Sequence, residues 1–506
     1  MLNKRKFLLC GLFLLPFLGI GQKITYSEVD RSDLKALNFD IIGKVSENLL
    51  IYKNVRDNNR ISIYDVSMKI TSDVPMDFLP NKILGIDFLN YRNFVYVLYQ
   101  YQRRNVVYFM VGKMGSDGKL MEEPLTLDTT VINYNSKSNL YTVLSSENKE
   151  KLMIFKINSK NPKNFVVTTL LFNKELQLQN YSQVDVPMLP GEFLSEFNLD
   201  NNGKLVFARA WRNNPNSTIN ELTVFTKNAL SDTLSSHMLG LNEYFLDNVK
   251  IKVDNVNNRF LLASFYAKSK RGNIEGMYCL LFDNAADSTH RLTVTPFSDE
   301  IRNEAKTEGN LRSVFNDFFL ENILFKKDGG FALVSEALYT STRGIYNNRW
   351  DYFNYPFSSY SDYYFFNSPL YNSYYYPWGR WGGYNSASRY FADNIAIMTF
   401  DSSANMEWVS VIHKSQYDDY TDNFIGYGTF NGGGVIHFLY NQMVKRTSIL
   451  TDQTLSPEGQ IKQTPTLHNL NKDYQFMARY AKQVSNSELI IPCQYRNFIC
   501  FAKIEF

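Results

Sequence analysis

The chain has 506 residues, 44% of them hydrophobic and 15% aromatic, with 53 basic and 50 acidic side chains. That is too apolar for a disordered chain, and long enough for two or three ordinary domains. The net charge of +3 is carried by Lys4, Arg5 and Lys6, so residues 23–506 are about neutral and offer no basic block for nucleic acid.

Residues 1–22 read as a secretory signal peptide. A basic start precedes an apolar run from Phe7 to Leu18, then the small-residue alternation Gly19-Ile20-Gly21 before Gln22. The run is shorter than the roughly 20 apolar residues a transmembrane helix needs. Cys10 lies inside it after Leu9, which argues against a lipoprotein cleavage site.

Residues 23–506 are expected to form one closed, repetitive all-β body. Short apolar and aromatic runs recur, such as "NLLIYKN" (48–54), "FVYVLYQY" (94–101), "KLMIFKI" (151–157), "RFLLASFY" (259–266) and "VIHFLYN" (435–441). Between them lie "GSDGK" (115–119), "DNNGK" (200–204), "KKDGG" (326–330), "DSSAN" (401–405) and "SPEGQ" (456–460). Asp, Asn and Gly close hairpins cheaply because they tolerate left-handed backbone angles. Strand groups start near 38, 82, 138, 193, 245, 318, 423 and 478, a spacing near fifty residues that holds four strands and points to propeller blades. The last group has room for three strands only, so "KITYSEV" (23–29) is expected to complete it. Eight blades are expected, seven being the alternative.

Two segments fall outside the repeat. Residues 298–312 carry a short surface helix, with Ser298 as its cap, Asp299 and Glu300 at its N-terminus and Gly309 as its end. Residues 341–392 carry an aromatic-rich loop: from Tyr346 to Tyr384 there are eighteen aromatic residues, no Lys and no Glu. Pro356, Pro369, Pro377, Gly379, Gly382 and Gly383 break any regular element there. Three uses of the rings compete: packing over one propeller face, contact with a protein partner, or stacking on sugars. The candidate partner-binding residues are Trp350, Tyr374, Tyr375, Tyr376, Trp378, Trp381 and Tyr384.

Catalytic patterns are sparse. The histidines His237, His290, His413, His437 and His468 lack metal-ligand spacing, and neither a nucleophile elbow nor a phosphate loop occurs. Neither a catalytic residue, a metal site nor a cofactor is expected. Asp418, Asp419 and Asp422 cluster without a calcium-loop pattern and read as a solvated loop rather than a Ca²⁺ site. Glu336, in the apolar run "FALVSEALY", needs a buried partner, for which Arg343 and Lys414 are candidates, and reads as a structural ion pair before a catalytic acid. Cys493 and Cys500 face each other across a tight turn at 496–497. Buried free thiols are preferred over a bond there because a hydrogen-bonded strand pair sits farther apart.

The span 318–416 carries "KKDGGFALVSEALY" and then "DNIAIMTFDSSANMEW". This resembles the blade pattern of secreted β-propeller proteins of Bacteroidota, which implies the fold and an envelope location but no particular activity. The resulting expectation is a non-enzymatic interaction scaffold of the bacterial cell envelope, periplasmic or outer-membrane-associated. It would bind protein partners in an outer-membrane or secretion-associated assembly. A carbohydrate-binding or glycoside-cleaving propeller is the alternative, and would need carboxylates from different blades to converge at the channel.

Overall fold

The computed structural model describes residues 22–32, 37–136, 139–212, 217–247, 249–284, 290–307, 309–342, 345–347, 388–419, 421–444, 447–463 and 474–506. Its simplest unit is a turn. Among the described residues, seven turns share one pattern, at 65–69, 115–119, 173–177, 200–204, 326–330, 401–405 and 456–460. The first amide bonds the fifth carbonyl, the fourth amide bonds the first carbonyl, and the fourth residue has positive φ. This is the three-residue hairpin loop with its left-handed residue before the returning strand. Where the first residue is Asp, as at Asp65, Asp200 and Asp401, its carboxylate also accepts the amides two and four residues on. All five clusters singled out in the sequence are this turn.

The turns fold the chain into eight antiparallel sheets, the blades of a β-propeller. Their first strands begin at Leu37, Gly85, Tyr141, Glu192, Phe245, Phe318, Tyr427 and Tyr474, each within four residues of the expected start. First strands of neighbouring blades lie against one another around the ring. Leu37–Val45 contacts Gly85–Asn90, and Lys482–Gln483 closes back onto Leu37–Val45. Asn90 donates across the first junction to the carbonyls of Ile42 and Lys44, at 3.3 and 3.1 Å, beside the bulge at Gly43. A Cβ on Gly43, at φ +118°, would meet the Asn90 amide at 2.6 Å.

Among the described residues the core is split into apolar layers between adjacent blades, such as Ile42, Leu50, Ile61 and Tyr52 of blade one against Ile86, Val95 and Tyr99 of blade two. The layer between blades eight and one holds Leu37, Ile51, Ile490 and Phe501. Both faces of a blade are thereby buried, so its middle strands read as continuous apolar runs rather than alternating ones.

Blade eight is built from both ends of the chain. Lys23–Tyr26 pairs with Phe498–Glu505 in the register Lys23↔Glu505 to Tyr26↔Ala502 and forms the outermost strand, as expected. Ser27 and Asp30 extend the pairing through amide bonds to Phe501 and Ile499. Asp30 then reaches blade one, 2.7 Å from the Lys53 ammonium and 3.2 Å from Arg60. Burial alone would raise the Asp30 pKa, but the charge and hydrogen bond of Lys53 and the bonds from Ser32 hold it well below the usual carboxylate range.

The helix is Asp299–Ala305, capped by the Ser298 hydroxyl, which accepts the Ile301 amide at 3.4 Å. It ends at Ala305 rather than near Gly309, because Lys306 is already extended. A 3₁₀ turn, Leu311–Asp317, follows. Deleting residues 23–29 should lower the melting temperature by many degrees, since it removes the Ile24, Tyr26 and Val29 packing and bares the Phe498–Glu505 edge. Thermal unfolding followed by circular dichroism checks this, and a truncated protein that melts like its parent would disprove closure by this strand.

Candidate functional site

In an antiparallel blade, connections after the first and third strands open on one face of the ring, and those after the second and fourth on the other. All seven tight turns belong to the first face. The helix, the loop after residue 412 and the strand ends at Thr342 and Ser388 belong to the second. The elaborated features of the chain therefore share a face.

Blade six dominates that face. Its second and third strands, Phe331–Thr342 and Ser388–Phe400, pair along their whole length out to Thr342↔Ser388. The ladder thus enters the span 341–392 expected to be loop. The first strand, Phe318–Phe325, accompanies them only to Phe318↔Ala337, and the fourth, Met406–Ile412, only to Ile395↔Ile412. Beyond these points the hairpin projects as an arm, with a register shift between Glu336 and Leu338 at its root. Ile345–Asn347 flanks it on one edge and Gln416–Asp418 on the other. Tyr339 stacks on Phe391 with centroids 4.6 Å apart, and the Tyr339 hydroxyl donates to Asp393 at 2.7 Å. The Arg389 guanidinium lies 4.7 Å from the Tyr417 ring and 2.6 Å from Asp419. The helix meets the root of the arm, where the Asn394 amide donates to the Ala305 carbonyl at 3.1 Å.

Trp350, Tyr374, Tyr375, Tyr376, Trp378, Trp381 and Tyr384 lie outside the described residues. What the structure describes is their mounting, an arm braced on both edges.

Under the arm sits an ionic network. Glu336 is fully buried, 2.7 Å from Lys414 and 3.4 Å from Arg479, which also lies 3.6 Å from Asp422. Lys414 donates further to the Ala392 carbonyl and the Gln416 amide oxygen, each at 2.8 Å. Of the two partners expected for Glu336, Lys414 is the one found, and Arg343 lies outside the described residues. Arg479, from blade eight, is a partner that sequence reasoning missed, being separated by 143 residues. A Cβ on Gly426, at φ +85°, would meet the Arg479 guanidinium at 2.5 Å, so the close approach requires glycine there. Loss of solvation, then the Glu336 charge, pushes nearby Glu321 up to about 7.

The Asp418, Asp419 and Asp422 carboxylates turn to three different partners: the Thr421 amide, Arg389 and Arg479. Among the described residues no group of three or more metal-ligating side chains converges. His437 is buried against Phe430 and Phe506, with Nδ1 2.8 Å from Asp452.

A second place on the first strands escaped the sequence reading. Asp40 of blade one and Asp87 of blade two lie close enough to interact, and they are only 5% and 3% exposed. Burial first, and the Asp40 charge second, push Asp87 up to about 7. Burial also raises Asp40, against the pull of Lys482.

No family model matches the chain, and no curated protein matches it. Among solved structures it is similar to the WD40 domain of SCAP from fission yeast, at 11% identity over 96% of this chain and 98% of that one, with a TM-score of 0.39. It is also similar to a polysaccharide lyase, an ulvan lyase, at 10% identity over 83% of this chain and 91% of that one, with a TM-score of 0.37. A third likeness is to prolyl oligopeptidase B from Galerina marginata, at 7% identity over 92% of this chain and 56% of that one, with a TM-score of 0.37. The eight-bladed fold stands on its own sheet order and register.

Glu336→Gln should destabilise the protein by about 3–5 kcal/mol, because it leaves the Lys414 ammonium buried without its counter-charge. Urea unfolding measures this, and a loss below about 1 kcal/mol would show the network contributes little. Asp87→Asn should act oppositely and with pH. Folding holds the Asp87 proton up to about 7, whereas an unfolded Asp releases it near 4, so the parent loses stability as pH rises between these values. The variant should therefore gain nothing over the parent below about pH 4 and its full advantage above about 7, seen as a rising difference in melting temperature.

Proposed function

We propose that this protein is a non-enzymatic interaction scaffold of the bacterial cell envelope. It is exported by residues 1–22, acts in the periplasm or at the outer membrane, and binds protein partners of an outer-membrane or secretion-associated assembly. The observation that carries this reading is the blade-six arm, a hairpin continued past its own blade and braced by Ile345–Asn347 and Gln416–Asp418. Its two strands lead directly into the most aromatic stretch of the chain. Tyr and Trp are the side chains best suited to protein contact, because they bring large area and a polar handle at small entropic cost. A rigid ring with such a stretch on a braced support is built to present it. No helix among the described residues is long and apolar enough to cross a membrane.

A second reading, a carbohydrate-cleaving propeller, is favoured by one observation: Asp40 and Asp87 come from different blades and interact. Their burial, at 5% and 3% exposure, speaks against a substrate reaching them.

The test is a pull-down from mildly solubilised envelopes with the intact protein beside a form in which residues 343–387 are replaced by a short Gly/Ser linker. The ring should stay folded, since shortening one loop costs little, and the specific partners should be lost. Single Ala substitutions at Trp350, Trp378, Trp381 or Tyr374–Tyr376 should weaken binding by about 2 kcal/mol at a hot spot, with circular dichroism unchanged. Recovery of the same partners by the loopless form would refute the contact. Polysaccharide turnover abolished by Asp87→Asn would establish the second reading instead.

A further inference from the structure

The closing blade carries a feature that neither the fold nor the proposed contact uses. Cys493 lies on Glu488–Tyr495 and Cys500 on Phe498–Glu505, the two middle strands of blade eight, and the residues are direct cross-strand partners. Their sulfurs are 2.9 Å apart, and both side chains are fully buried. A hydrogen-bonded antiparallel pair has Cα atoms about 5.5 Å apart, inside the roughly 4.4–6.8 Å that a disulfide spans. Both are free thiols in the structure, as the sequence reading preferred, but the separation of such a pair does not itself bar a bond. Tyr26 of the N-terminal strand lies beside both thiols and stacks on Tyr474 at 4.2 Å, so the pair sits beneath the strand that closes the ring.

We propose that Cys493 and Cys500 are an oxidisable pair that closes to a disulfide and welds blade eight where the N-terminal strand docks. The oxidant is a disulfide donor, RSSR. One thiolate attacks it, forming a mixed disulfide and releasing RS⁻. The second thiolate attacks the mixed disulfide and releases the other RS⁻, so two protein thiols lose two electrons and two protons while RSSR becomes two RSH. Burial keeps both sulfurs from solvent in the closed ring, so the exchange belongs to folding, before blade seven and Tyr26 pack against the pair. The same burial shields the finished bond from reductants. Cys279 lies in blade five, on Ile274–Asp283, and has no role here.

The pairing rests on geometry alone. Only the source of the oxidant in the cell rests on the export reading, since disulfides persist in oxidising compartments. The experiment separates the two. Protein refolded in oxidised glutathione is alkylated under denaturing conditions without reductant and digested with trypsin. Residues 483–496 and 497–503 should appear as one linked peptide, two hydrogens short of the summed masses, and should separate on reduction. Reduction should also lower the melting temperature of the oxidised protein, while the Cys493→Ser/Cys500→Ser double variant shows no response. Full alkylation of both cysteines in the refolded protein, or a link to Cys279 instead, overturns the pairing. If the link forms in glutathione but is missing from protein recovered from the envelope, the pairing holds and the export reading fails.

Discussion

The ring depends on one pairing, that of Lys23–Tyr26 with Phe498–Glu505. Seven blades are each made from a contiguous stretch of chain and would stack as an open array with two exposed edges. The eighth has only three strands from its own stretch, and the fourth comes from the other end of the protein. Closure therefore spans nearly the whole chain and carries the largest loop-closure entropy in the fold. It is held by more than the ladder. Asp30 carries the strand's connection into blade one, where the Lys53 ammonium is buried against it. An unpaired Lys53 would be costly there, so the open ring is penalised twice, once at the bare edge and once at the stranded charge.

The layout follows from this closure. With the ring closed, every blade is buried on both faces, and the core becomes thin layers between sheets rather than one mass. Those layers are why the sequence shows continuous apolar runs in the middle strands, and why the blade starts could be read from it to within four residues. The turns were legible for a different reason. Seven of them repeat one hydrogen-bond pattern whose fourth residue is left-handed, and Gly fills it at Gly118, Gly203, Gly329 and Gly459. Met68, Leu176 and Ala404 fill the same conformation without glycine, and two of those three turns, at Met68 and Leu176, drew no notice in the sequence.

Long-range chemistry was less legible. Glu336 stood out because it is an acid in an apolar run, and Lys414 was within reach of the same blade's sequence. Arg479 was not, because it comes to Glu336 only when blade eight closes beside blade seven. Asp40 in "NFDII" and Asp87 in "GIDFLN" carry the same local signal as Glu336, a lone acid on a buried strand. They were missed because the runs are short and because their interaction exists only between neighbouring first strands. The aromatic stretch was visible by composition alone, but its support was not. The arm's strands read as ordinary parts of a blade until their pairing is seen to run past the blade's own first and fourth strands.

The division of the two faces gives the arm its meaning. Tight three-residue turns leave no spare backbone, so the face that carries them is fixed by local hydrogen bonds. The opposite face receives the connections between blades, whose length is free because they only have to reach the next first strand. Insertions accumulate where length is free. What distinguishes blade six is that its insertion sits not in such a connection but between its second and third strands, at the end of a ladder. A loop between blades is tethered at two separated points, whereas one closing a hairpin emerges from a single stiff stem. That stem is fixed at its root by Glu336, Lys414 and Arg479 from three parts of the chain. A force applied along the arm is thus delivered to blades six and eight together.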